Sequence, residues 1–381
     1  MQTIGKIHDS SIYLHVPFCQ TKCPYCHFYV IPYEKEREEL YVQAIEKEWE
    51  LYRSSFESNK IVSFYLGGGT PSLLSPSSIN YLLDLLLPTS LRHACEITIE
   101  ANPESITLEK MRAFRSLGIN RLSIGVQSLD DHQLILLDRR HRATRAIEAI
   151  ETSCEAGFDN ISIDLMYDIP GQSLQSWQRT VDRAMKLPIT HLSLYNLTFE
   201  PQTLFFKKQR ALKPLLPSQE ESLKMLEYAI STCESAGLLR YEISAFARDN
   251  KVSVHNTGYW QGRPFIGLGP SAFSYYEGKR FKNASSFTKW MTALEEKKSP
   301  VDFEEQLPQE AAFRELLAIQ LRLVEGVDFS LFTTQRGPCP ADLFPILTQL
   351  INAGFLGELG NHLFLTEQGR LFYDTVAEEI I

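Results

Sequence analysis

The chain has 381 residues, 44% apolar and 22% charged, enough for one large α/β unit plus a smaller one and ordinary for a globular protein. Its net charge of −9 argues against a broad basic face for nucleic acid. No signal-like N-terminus and no apolar run near the roughly 18 residues of a membrane span are present, and Cys95, Cys154, Cys233 and Cys339 are scattered, so a cytoplasmic protein without a disulfide framework is expected.

The first predicted strand covers residues 12–16, in Ser11-Ile-Tyr-Leu-His-Val-Pro17, and runs straight into Cys19-Gln-Thr-Lys-Cys23-Pro-Tyr-Cys26. Pro17 and Pro24 discourage a regular helix through that loop. Residues 34–56, rich in Glu, Lys and Leu at helical spacing, predict the first helix. Residues 60–66 form a β-prone run that stops at Gly67-Gly-Gly-Thr-Pro71, and a helix over 75–87 opens on Ser-Pro and closes at Pro88. The alternation then repeats, with strands at 94–100, 120–126, 160–166 and 191–197 and helices at 108–117, 142–156 and 174–187. Gly118 and Gly157 stand where left-handed C-caps would end two of the helices.

Six strand-then-helix units predict a parallel sheet with helical crossovers, a partial (β/α)6 barrel over residues 1–237. Functional groups of such folds gather at the C-terminal ends of the strands. Here the cysteines follow the first strand, glycines end the second, Glu100 ends the third and Gln127 the fourth. Asp164 lies near the end of the fifth, and Tyr195 and Asn196 end the sixth. One large site at the barrel mouth is therefore expected. Residues 238–300 are expected to form an irregular, aromatic-rich connection containing His255-Asn-Thr-Gly-Tyr-Trp260. Residues 301–381, with helices near 310–323 and 341–353 and a Gly/Asn hairpin across 355–365, predict a separate α+β winged-helix-like unit. That unit is not notably basic, which favours a lid or docking role over nucleic-acid binding.

Three thiolates packed into Cys19-x-x-x-Cys23-x-x-Cys26 can converge on one inorganic centre. A closed zinc site needs a fourth ligand, for which His15 or His27 is available. An iron–sulfur cube held by three thiolates instead keeps one iron open to a non-protein ligand. The three glycines at 67–69 let backbone approach a ligand closely. Glu100 is a carboxylate in an otherwise apolar strand, either a solvated strand end before Asn102-Pro103 or a buried acceptor.

With Tyr25 as its aromatic residue, the Cys-x-x-x-Cys-x-aromatic-Cys stretch resembles the signature of the radical S-adenosylmethionine (radical SAM) superfamily. The resemblance implies a [4Fe–4S] cluster on Cys19, Cys23 and Cys26, with SAM chelating the open iron and being cleaved reductively to methionine and a 5′-deoxyadenosyl radical. Tyr13-Leu-His-Val-Pro-Phe-Cys19, Gly-Gly-Gly-Thr-Pro, Glu100-Ala-Asn-Pro, Arg121-Leu-Ser-Ile-Gly-Val-Gln127, Arg139-Arg-His141 and Asp164-Leu-Met-Tyr-Asp-Ile-Pro-Gly171 follow one another in family order. Together they resemble the oxygen-independent coproporphyrinogen III oxidases and their relatives, the HemW heme chaperones, over essentially the whole chain. This implies a HemN-type C-terminal domain, and contacts from Tyr13, Gly68 and Glu100 to the cluster-bound SAM, Glu100 through ribose hydroxyls. It also implies that Tyr25, Gly69, Thr70, Gln127, Arg139 and Asp164 stand where the oxidase holds a second SAM.

Two departures separate the two branches of that group. Phe28 stands where the oxidases carry a further cysteine, and 18 residues precede Cys19 where the oxidases have a longer arm. His255-Asn-Thr-Gly-Tyr-Trp260 matches the HNxxYW signature of HemW, which implies that His255 helps to hold heme. The expected function is heme binding and delivery to acceptor hemoproteins; the alternative is oxidative decarboxylation of coproporphyrinogen III to protoporphyrinogen IX. The expected partners are heme or a porphyrinogen, acceptor hemoproteins, and a reductant such as flavodoxin or ferredoxin.

Overall fold

The computed structural model describes residues 9–56 and 59–381, so the reading of the extreme N-terminus lies outside the described residues. Strands β1 (Asp9–Val16), β2 (Lys60–Gly68), β3 (Glu96–Ala101), β4 (Arg121–Gln127), β5 (Ile161–Tyr167) and β6 (His191–Asn196) pair in that order, all parallel. Side chains alternate across a strand, and the two faces of this sheet differ sharply in character. Leu14, Phe64, Leu66, Ile97, Ile99, Leu122, Ile124 and Ile163 are fully buried beneath the helices. Each such side chain contributes about 1.5–3 kcal/mol by leaving water. The opposite, lumen-facing rows are polar: Glu100 lies beside Ser123, Ser123 beside Ser162, and Ser162 beside His191.

The outer layer consists of α1 (Lys35–Phe56), α2 (Pro76–Leu86), α3 (Leu108–Ser116), α4 (Ala143–Glu155), α5 (Leu174–Ala184) and α6 (Gln219–Ser235). Four of the six starts are capped by the N-cap side chain: Ser75 accepts from the Ser78 amide and Thr107 from the Lys110 amide. Ser173 and Ser218 form capping boxes with Ser176 and Glu221. Each such cap stabilises its helix by about 1 kcal/mol. Trp177 on α5 is fully buried and donates its indole N–H to the Met225 carbonyl on α6 at 2.7 Å, locking those two helices together.

Residues 238–300 are not irregular; the expectation fails there. They supply β7 (Leu239–Glu242), β8 (Ala245–Ala247), β9 (Phe265–Leu268), β10 (Phe273–Tyr276) and β11 (Lys279–Asn283), and α7 (Val254–Trp260) and α8 (Phe287–Glu295). β8 joins β6 antiparallel, whereas β9 joins β1 parallel on the other edge of the barrel sheet. With β12 (Val301–Glu305) beyond β11, one twelve-stranded sheet results. The added strands have three to five residues each, too few for a clear period-two pattern. Phe246, Ile266, Leu268 and Trp290 pack into the same core as the barrel.

A second core is built on Phe313, Leu317, Leu321, Leu347 and Val376. Helices α9 (Gln309–Gln320), α10 (Phe329–Arg336), α11 (Leu343–Asn352) and α12 (Tyr373–Ile380) surround a small antiparallel sheet of β13 (Val327–Asp328), β15 (His362–Leu365) and β14 (Leu356–Leu359), in that spatial order. This is the winged-helix-like arrangement expected, though it starts at α9, because Val301–Glu305 belongs to the large sheet. The two cores are tied together by Arg322, which lies 4.3 Å over the Trp260 ring and 3.4 Å from Glu242. Among the described residues no helix is long and apolar enough to cross a membrane.

Candidate functional site: a cysteine loop and two adjoining cavities

The cysteine loop is an excursion held at its base. Phe18–Cys19 pairs in parallel with Ile31–Pro32, and the Tyr33 amide donates to the Cys19 carbonyl at 3.0 Å. The glycine-rich turn closes on the same segment, with the Gly69 amide on Val16 O at 2.8 Å and the Thr70 amide on Phe18 O at 2.7 Å. That contact explains Gly69: a Cβ there would lie 2.6 Å from Phe18 O and 2.9 Å from Val16 O. Gly68 has φ of 105°, and a Cβ would fall 2.6 Å from the His15 ring, so both position and conformation require glycine.

Cys19, Cys23 and Cys26 are free and half-buried. Burial pushes the Cys19 thiol up to about 11 and raises Cys26 as well, so an electropositive centre is what would hold them as thiolates. A hydrogen-bonded chain links two of the sulfurs. Thr70 Oγ1 lies 3.5 Å from Cys19 Sγ and accepts from Asn102 Nδ2 at 2.9 Å. Asn102 Oδ1 accepts from Arg139 Nη2, and Arg139 Nη1 lies 3.5 Å from Cys23 Sγ. Arg139 also holds the Gly125 carbonyl at 2.6 Å, while its buried Nε has no partner among the described residues.

These groups line a cavity of about 1280 Å³, counted out to its mouth. Eleven of the thirteen residues singled out from sequence border it: Cys19, Cys23, Cys26, Tyr25, Gly68, Gly69, Thr70, Glu100, Gln127, Arg139 and Asp164. Glu100 accepts from the Tyr65 hydroxyl at 2.9 Å and the Gly68 amide at 3.0 Å. Burial, with Asp164 nearby, raises its carboxyl to about 7; burial likewise raises Asp164 to about 6. Gln127 has φ of 65° where the β4–β5 register shifts, which turns the chain at the end of β4. Asn102 and Tyr195 also border this cavity, and Tyr65 reaches it through Glu100; Tyr195 was expected at the mouth as a strand end, whereas the signal for Asn102 was the Asn-Pro step closing β3.

The other two residues lie elsewhere. Tyr13 and His255 border a second cavity of about 1720 Å³, which touches the first at His27, Phe28, Glu100 and Tyr195. Tyr13 shares the lumen face of β1 with His15, to whose Nδ1 its hydroxyl bonds at 3.0 Å, and so faces the second cavity and not the cysteines. His255 is 1% exposed and stacks on Tyr65 at 4.9 Å. Its Nδ1 lies 2.9 Å from Ser63 Oγ and its Nε2 2.8 Å from the Tyr259 hydroxyl, so in this conformation it offers no free nitrogen to heme iron. Burial, helped by Arg263, lowers it to about 3 and keeps it neutral.

The donor set fits a three-thiolate cluster better than zinc. Among the described residues no three His, Cys, Asp or Glu side chains are spaced to hold a single metal ion. His15 has both ring nitrogens engaged, by Tyr13 and by the Tyr29 carbonyl at 3.0 Å, and so is not placed as a fourth zinc ligand.

Residues 13–184 match the radical SAM superfamily, and residues 307–372 match the HemN C-terminal domain. The heme chaperone HemW of Bacillus subtilis is 32% identical over 371 residues, covering 96% of this chain and 97% of its own length. The chain belongs to the HemW family. The HemW of Escherichia coli is 30% identical, with 98% of each chain covered. In fold, the HemW-family chain is similar to E. coli coproporphyrinogen III oxidase HemN, a radical SAM enzyme, at a TM-score of 0.85 and 23% identity, with 98% of this chain and 90% of that one aligned. As a radical SAM protein, the chain takes a [4Fe–4S] cluster and SAM.

Proposed function

We propose that this chain binds heme in the aromatic cavity beside its cluster site and hands it to acceptor hemoproteins. The observation that carries this reading is the junction of the two cavities along a shared wall of His27, Phe28, Glu100 and Tyr195. Tyr65, Tyr259, Trp260 and Phe273 give the second cavity the flat apolar faces that suit a macrocycle, and Arg263 and Lys282 at its side suit propionate carboxylates. Glu315, Leu316 and Ile319 from the C-terminal unit close one side of it, consistent with the lid role expected of that unit.

In the first cavity Cys19, Cys23 and Cys26 would hold the cluster. Gly68, Gly69 and Glu100 would contact SAM, and Tyr25, Thr70, Gln127, Arg139 and Asp164 would complete the walls. When bound, the cluster and SAM supply one-electron chemistry. The protein's own residues position and insulate. The Thr70–Asn102–Arg139 chain fixes Cys19 and Cys23 relative to each other, and the Arg139 charge beside Cys23 offsets thiolate charge. We place the process in the cytoplasm, with a reductant such as flavodoxin or ferredoxin as electron source.

Coproporphyrinogen oxidation shares the cluster and SAM groups, so turnover is what separates the two functions. The cluster-loaded protein incubated anaerobically with SAM, a reductant and coproporphyrinogen III is expected to cleave SAM and form no protoporphyrinogen. Multiple turnovers to protoporphyrinogen would overturn the heme-carrier reading.

A further inference from the structure

Three described histidines border the aromatic cavity, and they differ in what their ring nitrogens do. His15 is 3% exposed; its Nε2 donates to the Tyr29 carbonyl and its Nδ1 takes the Tyr13 hydroxyl. His255 is also buried. Ser63 Oγ gives its own proton to Ser11 Oγ, so His255 Nδ1 donates to Ser63 and Nε2 accepts from Tyr259. Neither imidazole can meet a metal without abandoning a buried partner, which would cost about 1–3 kcal/mol for the group left behind.

His27 is different. It is exposed, and among the described residues no hydrogen bond engages its ring and its one ring contact is a stack on Phe28, with centroids 4.6 Å apart and planes 29° apart. It is also the one histidine that borders both cavities among the described residues. The backbone around it is fixed although the ring is not. The Cys26 amide donates to Cys23 O at 3.1 Å, Lys22 Nζ to Phe28 O at 3.0 Å, and the Tyr29 hydroxyl accepts from the Phe287 amide at 2.7 Å. A free imidazole on a pinned loop, next to aromatic faces, is a preorganised ligand for a metal in a flat macrocycle.

We propose that His27 supplies the axial imidazole to the iron of heme bound in the aromatic cavity. This rests on the heme-binding reading above. Phe28 then packs against the ligating ring, and Lys282, which lies 5.2 Å over the Phe273 ring, is available to a propionate. His255 takes the part of a wall, holding Tyr259 and Tyr65 in place. The heme ligand and a cluster ligand, Cys26, are neighbours in sequence, so one loop sets the position of both.

The test titrates hemin into the cluster-loaded protein and its His27→Ala and His255→Gln variants. Binding is read by quenching of tryptophan fluorescence and axial ligation by Soret-excited resonance Raman spectra. Equal iron and sulfide contents before hemin is added check that the loop is intact in each variant. The expected result is stoichiometric hemin on all three proteins, with the nitrogen-ligand signature lost in His27→Ala alone and restored by added imidazole. Retention of that signature in His27→Ala, or a loss that imidazole does not restore, overturns the assignment while leaving heme binding standing. No quenching in the unmodified protein overturns heme binding itself, and the assignment with it.

Discussion

Replacing Glu48 with Ala is expected to loosen the wall of the aromatic cavity from the barrel. Glu48 sits on α1, fully buried, yet its hydrogen bonds all reach the added strands and α8. Its Oε2 accepts from the Gly269 amide at 2.8 Å and the Trp290 indole at 3.0 Å, and its Oε1 accepts from Asn283 Nδ2 at 2.5 Å. Asn283 Nδ2 also reaches Gly269 O at 2.9 Å, so two donors, Gly269 and Trp290, would be wholly orphaned. At about 1–3 kcal/mol for each orphaned donor, plus a small cavity, the loss comes to about 4 kcal/mol.

The carboxyl also carries a pH signature. Burial raises Glu48 to about 7 from an ordinary 4.5, against three hydrogen bonds that favour ionisation. The folded state therefore holds this proton more tightly than the unfolded state does. Its contribution is complete below about pH 4.5 and is lost as pH rises through about 7, by at most about 3 kcal/mol. Glu48→Gln cannot ionise, so its stability relative to the unmodified protein should improve across that window. Urea unfolding followed by tryptophan fluorescence at several pH values measures both effects. A Glu48→Ala protein within about 1 kcal/mol of the original would refute the reasoning. So would a Gln variant that tracks it at every pH.

Serine at any one of positions 19, 23 or 26 should abolish bound iron and sulfide, while circular dichroism shows the barrel retained. Gly69→Ala should destabilise the chain and weaken SAM binding at least tenfold by equilibrium dialysis, because the new methyl meets backbone oxygens that cannot yield. If Glu100 accepts from SAM hydroxyls as a carboxylate, SAM affinity should fall as pH drops below about 7, where the group becomes protonated, and Glu100→Gln should remove that dependence. Asn102→Ala breaks the link between Thr70 and Arg139 and should make the cluster more labile to chelators without abolishing its assembly.

The barrel was legible because its signals are local and repeated. Strands of six to nine residues alternate with capped helices, and the strand ends carry polar groups that a buried sheet would otherwise exclude. α6 was passed over although Ser218-x-x-Glu221 is a capping box, because β7, the strand that follows it, has only four residues and pairs antiparallel with β8, so it completes no further parallel β/α unit. β9 was hidden by a different cause. Its four residues read as a loop, and its Gly267 is required only because Phe273 O of the neighbouring strand lies where a Cβ would go. That is a long-range fact with no local trace. For the same reason His255 looked like a ligand in a motif, whereas its partners Ser63 and Tyr259 reveal a group already satisfied.

Heme delivery itself is the claim to test most directly. The cluster-loaded protein carrying hemin should be mixed anaerobically with an apo-b-type hemoprotein, with and without SAM and a reductant, and the acceptor separated and its heme measured. Transfer faster than from free hemin adsorbed on an unrelated protein is the predicted result. Heme that stays on this chain, or leaves it only at the rate of non-specific adsorption, would contradict the account.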